Sequence, residues 1–231
     1  MPTKIDAILS RMTIDEKLGQ MILASIEVSQ MNDATREFLC ANHIGNVILF
    51  GKNCAGRENL ARLNTEIQAT IQAATGLPAL IAIDQEGGCV TRLRSEATVF
   101  PSAMVVARTG DADNAYRVGR IMGDELRALG INVNFAPVCD VSTDPKDFIY
   151  DRTLGQDANM TADYVRLVVP AMTEGGTLPV LKHFPGYGNN ADTHTGIAVD
   201  QRPMETFETA DLLPFKAGIE AWTPSGKSLL T

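Results

Sequence analysis

Ala79-Leu-Ile-Ala-Ile83, followed by Asp84-Gln-Glu-Gly-Gly88, is the stretch that decides the architecture. An unbroken apolar run bounded upstream by Gly76 and Pro78 reads as a strand buried on both faces, after which the chain turns polar and glycine-rich. Just before it, Leu60, Leu63, Ile67 and Ile71 recur at spacings of three and four, which is one face of an amphipathic helix from Arg57 to the glycine stop. An amphipathic helix leading into a wholly apolar strand is the repeating unit of a parallel sheet covered by helices.

The unit recurs on both sides. Thr13 and Glu16 form a capping-box pair that opens a short helix, and residues 20–26 are then expected to make the first strand. Asn32 is placed to cap the following helix, and Asn46-Val-Ile-Leu-Phe50 reads as the second strand. Downstream, Ala115, Val118, Met122, Leu126 and Leu129 share one face of a helix that Gly130 stops. Residues 131–138 read as a fourth strand, 161–173 as a helix and 178–184 as a fifth strand, while Pro214 suits the first turn of a last helix reaching Ala221.

An open doubly wound sheet and a (β/α)8 barrel both accommodate this order. The polar loops at 85–101, 139–160 and 185–205 all follow strands, whereas the helix-to-strand connections are short, and long loops after several successive strands favour the barrel. A closed barrel takes eight strands and about 250 residues. The 231 residues yield five, so the expected fold is α/β, a TIM-like (β/α) barrel with about five of eight strands, occupying 1–221 and followed by an atypical tail at 222–231.

Composition narrows the classes of function. With 45% hydrophobic and 21% charged residues the chain is of ordinary globular type. Its 20 bases against 28 acids leave a net charge of -8 with no basic block, which speaks against a nucleic-acid partner. No apolar stretch is long enough to cross a bilayer, and no membrane partner is expected. Cys40, Cys54, Cys89 and Cys139 show neither close pairing nor metal-ligand spacing, which fits free thiols in a reducing, cytoplasmic setting. Lys4 and Asp6 interrupt the N-terminus before any signal-like apolar run forms.

Candidate chemistry gathers in three places. Lys182-His-Phe-Pro-Gly-Tyr-Gly-Asn-Asn-Ala-Asp-Thr-His194 carries two of the three histidines just beyond a strand. In such a loop the Asp192 carboxylate can meet His194, fixing its tautomer and leaving the other ring nitrogen for proton transfer. The same spacing also describes a solvated polar turn, and a metal site of His183, Asp192 and His194 matches no recurrent ligand pattern. Lys182 and His183 end a strand otherwise aimed at a core, so their polar ends need partners or a ligand. Second, Asp84 ends a buried strand beside Gly87 and Gly88, with Arg92 and Arg94 following, which suits recognition of a hydroxylated small molecule ahead of the alternatives, a helix cap or a surface ion pair to Arg92. Neither a GxGxxG nor a Walker pattern is present, and no cofactor is expected. Third, Asp140 and Asp151-Arg-Thr-Leu-Gly155 place Arg152 in a long loop where it could clamp a hydroxyl or carboxylate.

Taken together, Ile83-Asp-Gln-Glu-Gly-Gly88 with Arg92, Asn134-Phe-Ala-Pro-Val138 with Asp140, Asp151-Arg152, Lys182-His-Phe-Pro-Gly186 and Asp192-Thr-His194 resemble glycoside hydrolase family 3, in its β-N-acetylhexosaminidase branch. The resemblance implies a barrel with the sugar site at the strand carboxyl ends, and a glycoside of N-acetylglucosamine as substrate. It implies that Asp84, Arg92, Arg152, Lys182 and His183 bind the terminal sugar, with His194 as acid/base and Asp192 as its orienting partner. It further implies retaining hydrolysis of terminal β-N-acetylglucosamine, with cell-wall fragments as a setting. Tyr187 stands where many relatives carry a second histidine. The family's nucleophile is an aspartate on a later strand, which Thr223-Pro-Ser-Gly-Lys-Ser-Leu-Leu-Thr231 does not resemble, so this chain is expected to be C-terminally truncated and inactive or nearly so. The alternative is a sugar-binding protein without hydrolysis.

Overall fold

A computed structural model of the chain describes residues 3–155 and 157–222; the expected atypical tail therefore lies, apart from Trp222, outside the described residues. These residues form two compact units, one running to Ile83 and including Leu129–Asn132, the other made of Asp84–Ala128 and the chain from Val133 onward.

In the first unit the order is α1 (Lys4–Leu9), α2 (Ile14–Met21), β1 (Leu23–Ser25), α3 (Asp33–Ala41), β2 (Asn46–Leu49), α4 (Arg57–Thr75) and β3 (Leu80–Ile83). The capping box at Thr13 and Glu16 is formed, and Asn32 caps α3 through the Thr35 N–H at 2.8 Å. The strands are parallel, Ala24 facing Val47 and Val47 facing Ile81. The first strand is shorter than its expected 20–26, because α2 runs on through Gln20 and Met21. Leu60, Leu63, Ile67 and Ile71 of α4 are all at most 1% exposed, as are Val47, Leu49, Ile81 and Ile83, so the apolar stripe and the apolar strands together form the core.

The second unit holds β4 (Gln85–Gly87), β5 (Val90–Thr91), α5 (Ala103–Ala107), α6 (Ala112–Ala128), β6 (Val133–Asn134), α7 (Ala158–Glu174), β7 (Leu178–Pro179), α8 (Met204–Thr206), a π-helical turn at Phe207–Asp211 and α9 (Leu212–Ala221). Strands β6 and β7 are parallel. They are shorter than the expected 131–138 and 178–184 because Pro137 and Pro179 have no N–H to give a ladder. Pairing nevertheless resumes beyond them, where Lys182 N donates to Pro137 O at 3.3 Å and Cys139 N to Lys182 O at 2.6 Å. Between them the two units supply five strands that run parallel to a neighbour, separated by helices, which is the α/β order expected.

Two features of this unit bear on the site. Gly119 and Gly123 of α6 lie against α7, where a Cβ would sit 2.9 Å from Val168 O and 2.6 Å from Met172 O. Their lack of side chains lets the helix that feeds β7 pack backbone to backbone. The segment 85–101, expected as a polar loop, instead begins with an antiparallel hairpin whose turn uses Gly87 and Gly88 at φ 93° and 59°.

Candidate active site

Gln85 is the residue from which the site is organised. Its backbone is held by the side chain of Asn134, whose Oδ1 accepts the Gln85 N–H at 2.9 Å and whose Nδ2 donates to Gln85 O at 2.8 Å. Its side-chain oxygen accepts the N–H groups of Arg92 and Leu93 at 2.9 and 3.1 Å, fixing the hairpin. Since side chains alternate along an extended chain, burying Gln85 turns Asp84 and Glu86 together to the opposite face.

Both acids meet Lys182. Its Nζ lies 2.6 Å from Asp84 Oδ1 and 2.6 Å from Glu86 Oε1, with its own side chain only 11% exposed. Arg152 closes on Glu86 from the other side with a two-pronged pair at 3.0 and 2.7 Å, while Arg92 lies 3.9 Å from Asp84. Arg152 also reaches His183, NH2 to Nε2 at 3.2 Å. The other imidazole nitrogen of His183 is 2.7 Å from the fully buried Asp140, whose two oxygens additionally accept the backbone N–H groups of His183 and Tyr187 at 3.1 and 2.7 Å. With a carboxylate at Nδ1 and a guanidinium at Nε2, the His183 ring is held in one orientation.

Asp84, Glu86, Arg92, Arg152, Lys182 and His183 line a cavity of about 550 Å3 that Thr193 and His194 also border. Asp192 and His194 form a pair, Nδ1 to Oδ1 at 2.6 Å, and the same carboxylate oxygen accepts the His194 N–H at 3.0 Å. The backbone and then the ring of His194 hold the Asp192 carboxyl below its ordinary range. With the carboxylate against Nδ1, the other imidazole nitrogen, Nε2, is left outside the pair. The turn is exposed, with the His194 side chain 79% accessible.

The seven site residues named from sequence thus fall into one group around Lys182 and a second, at the rim, around His194. Glu86 and Asp140 were not assigned a binding part, and both prove to be organising anions. Glu86 could have been read from its spacing, two residues beyond Asp84 in an extended segment. Asp140 could not, since its partners lie more than forty residues along. The cap reading of Asp84 is also set aside, because a hairpin follows it and not a helix. Among the described residues no helix is long and apolar enough to cross a membrane, and no three His, Cys, Asp or Glu side chains are grouped to hold a metal ion.

Residues 13–225 match the glycosyl hydrolase family 3 N-terminal domain. The chain belongs to this family. Within it, the beta-hexosaminidase of Xanthomonas euvesicatoria pv. vesicatoria is 36% identical over 208 residues, which is 87% of this chain and 61% of the relative. The chain therefore spans about three fifths of the length of the curated relatives that it matches. Among solved structures, the family 3 β-N-acetylglucosaminidase from Paenibacillus sp. str. FPU-7 superposes with a TM-score of 0.87 at 36% identity, covering 90% of this chain and 40% of that one. NagZ from Neisseria gonorrhoeae, solved in complex with N-trifluoroacetyl-D-glucosamine, gives 0.76 at 30% identity, covering 85% of this chain and 59% of that one. The family 3 resemblance carried by the sequence motifs is thereby established, and with it the (β/α) barrel class of fold.

Proposed function

We propose that the chain forms the sugar-binding and acid–base part of a β-N-acetylhexosaminidase, which removes terminal non-reducing β-linked N-acetylglucosamine with retention and takes part in recycling cell-wall fragments. The observation that carries this reading is the Asp192–His194 pair at the rim of a cavity with charged, hydrogen-bonding walls. The relatives bearing the name beta-hexosaminidase, and the glucosamine derivative bound by the Neisseria protein, support the choice of sugar.

Asp84, with Lys182 and Arg92 beside it, would take the sugar hydroxyls, and Arg152 and His183 would complete the cradle. His194 Nε2–H would protonate the departing glycosidic oxygen, and the resulting neutral Nε2 would then take the proton of the water that releases the sugar. An imidazole with an unperturbed pKa of about 6.5 suits both steps near neutrality. The dyad replaces the acid of the usual carboxylate pair.

A retaining route also needs a nucleophile, and the described carboxylates at the cavity are engaged. Of those lining the cavity, Asp84 is paired with Lys182, Glu86 with Arg152 and Lys182, and Asp200 with Arg202. We therefore propose that residues 1–231 by themselves turn over substrate slowly or not at all. The same engaged carboxylates favour a second reading, a sugar-binding protein without hydrolysis.

An activated aryl β-N-acetylglucosaminide tests these points. The purified 231-residue chain should run near background beside a full-length hexosaminidase, and robust turnover abolished by Asp84→Asn or Glu86→Gln would contradict the proposal. In the full-length enzyme, replacing the histidine of its Asp-Ser/Thr-His motif should cost poor leaving groups about a hundredfold or more and activated ones far less. Equal losses would remove the histidine from the acid role, and sugar binding with no hydrolysis in any natural form would favour the second reading.

A further inference from the structure

The turn that carries Asp192 and His194 is built almost wholly from itself. Asp192 accepts from His194, and Thr195 donates to Asp192 O through both its N–H and its hydroxyl, at 3.1 and 2.8 Å. Contacts of that kind shape a turn but do not aim it.

Among the described residues, Phe148 and Tyr187 reach the turn from outside. The Phe148 ring meets His194 edge-on at 6.1 Å, and the Tyr187 hydroxyl meets Thr193, the residue between the two members of the dyad. That hydroxyl accepts the Thr193 N–H at 3.2 Å and is hydrogen-bonded to Thr193 Oγ1. The two hydroxyls share one hydrogen bond, in which either oxygen can be the donor. Tyr187 is itself held on the other side. Its N–H is fixed on buried Asp140, and its ring packs against His183 at 5.4 Å and Phe148 at 5.7 Å. One residue thus spans from the Asp140–His183 pair to the backbone of the dyad turn.

We propose that Tyr187 is a positioning residue, whose hydroxyl tethers the Asp192–His194 turn to the sugar side of the cavity through Thr193. The tether rests on the acid–base reading of His194 for its consequence, since a swinging turn would lose the aim of Nε2. Tyrosine provides the tether through a hydroxyl at the far end of a rigid ring, a reach that a phenylalanine keeps in shape and loses in bonding.

The test needs no turnover, because the chain has three histidines, His43, His183 and His194, whose ring signals are separable by NMR. In Tyr187→Phe, the ring-current displacement of His194 by Phe148 should be lost. Exchange of the Thr193 amide should quicken about fivefold or more, the factor that one ordinary hydrogen bond contributes. His43 should not move. Thr193→Val removes only the Oγ1 bond and should give part of both changes, and the double variant should add little to Tyr187→Phe, which already lacks both bonds to residue 193. If Tyr187→Phe disturbs His43 as well, Thr193→Val decides, since it alters only an exposed side chain. An unmoved His194 in Thr193→Val, or losses that simply add in the double variant, would overturn the tether. A His194 that later proves catalytically idle would leave these results standing, so failure of the acid–base reading is distinguishable from failure of the tether.

Discussion

Arg152 holds Glu86 by both carboxylate oxygens, at 3.0 and 2.7 Å, with the side chain of Glu86 only 6% exposed. An acid so enclosed, with Lys182 on the same oxygen as the closer prong, organises cations and is a poor nucleophile. Glu86→Gln would leave Arg152 and Lys182 facing each other across a neutral amide. We expect a loss of roughly 3 kcal/mol in unfolding free energy, in the range for breaking a buried pair from one side. Chemical denaturation measures it, and a loss within error of zero would mean that water reaches this cluster.

Arg202 makes a second network below the rim. It bonds Asp200 and, through NH1, both oxygens of Asp211 at 3.0 and 2.9 Å, and its guanidinium lies 4.4 Å from the centre of the Phe207 ring. The Arg202 hydrogen bond is the main reason that Asp200 sits at about 2 rather than 3.8, whereas burial pushes Asp211 up. A carboxyl whose pKa is lowered on folding adds stability above its unfolded value and loses it as pH falls through the folded one. The buried Asp211 has the opposite sign, since ionising it costs the folded state unless Arg202 is present. In Arg202→Gln, Asp200 should titrate above about 2, toward its ordinary range, and the stability gap to the parent near neutrality should close as pH falls toward about 2. A gap that widened in acid would contradict the assignment.

The close packing of α6 on α7 gives a third outcome. Gly123→Ala places a methyl 2.6 Å from Met172 O, and Gly119→Ala places one 2.9 Å from Val168 O. Neither neighbour is a flexible side-chain end, so both substitutions should destabilise by about 1–3 kcal/mol despite the gain in helix propensity. Thermal unfolding of the two variants checks this, and a stabilised Gly123→Ala would mean that the helices can part at little cost.

What the sequence disclosed follows from how local each signal is. The helix at Arg57–Thr75 and its apolar face are read from spacing alone, because a single stripe of leucines and isoleucines faces one core. Strands interrupted by Pro137 and Pro179 were legible as extended chain but not in their bounds, since a ladder depends on donors that proline lacks. The residues of the dyad are two apart and their meeting could be inferred, whereas Glu86 and Arg152 are 66 residues apart and Lys182 and Asp84 are 98 apart. Those pairings exist only once the fold brings them together. The Arg202 network was missed for the same reason, as nothing in Asp200-Gln-Arg202 announces the buried Asp211 that completes it.

The most direct measurement of the central claim is titration of N-acetylglucosamine into the 231-residue chain, followed at its histidine rings. The account predicts that His183 and His194, which line the cavity, shift in a saturable manner while His43 stays still, and that Asp84→Ala abolishes the saturation with the fold intact. Equal shifts at His43, or a His183 signal untouched by the sugar at saturating concentrations, would contradict it.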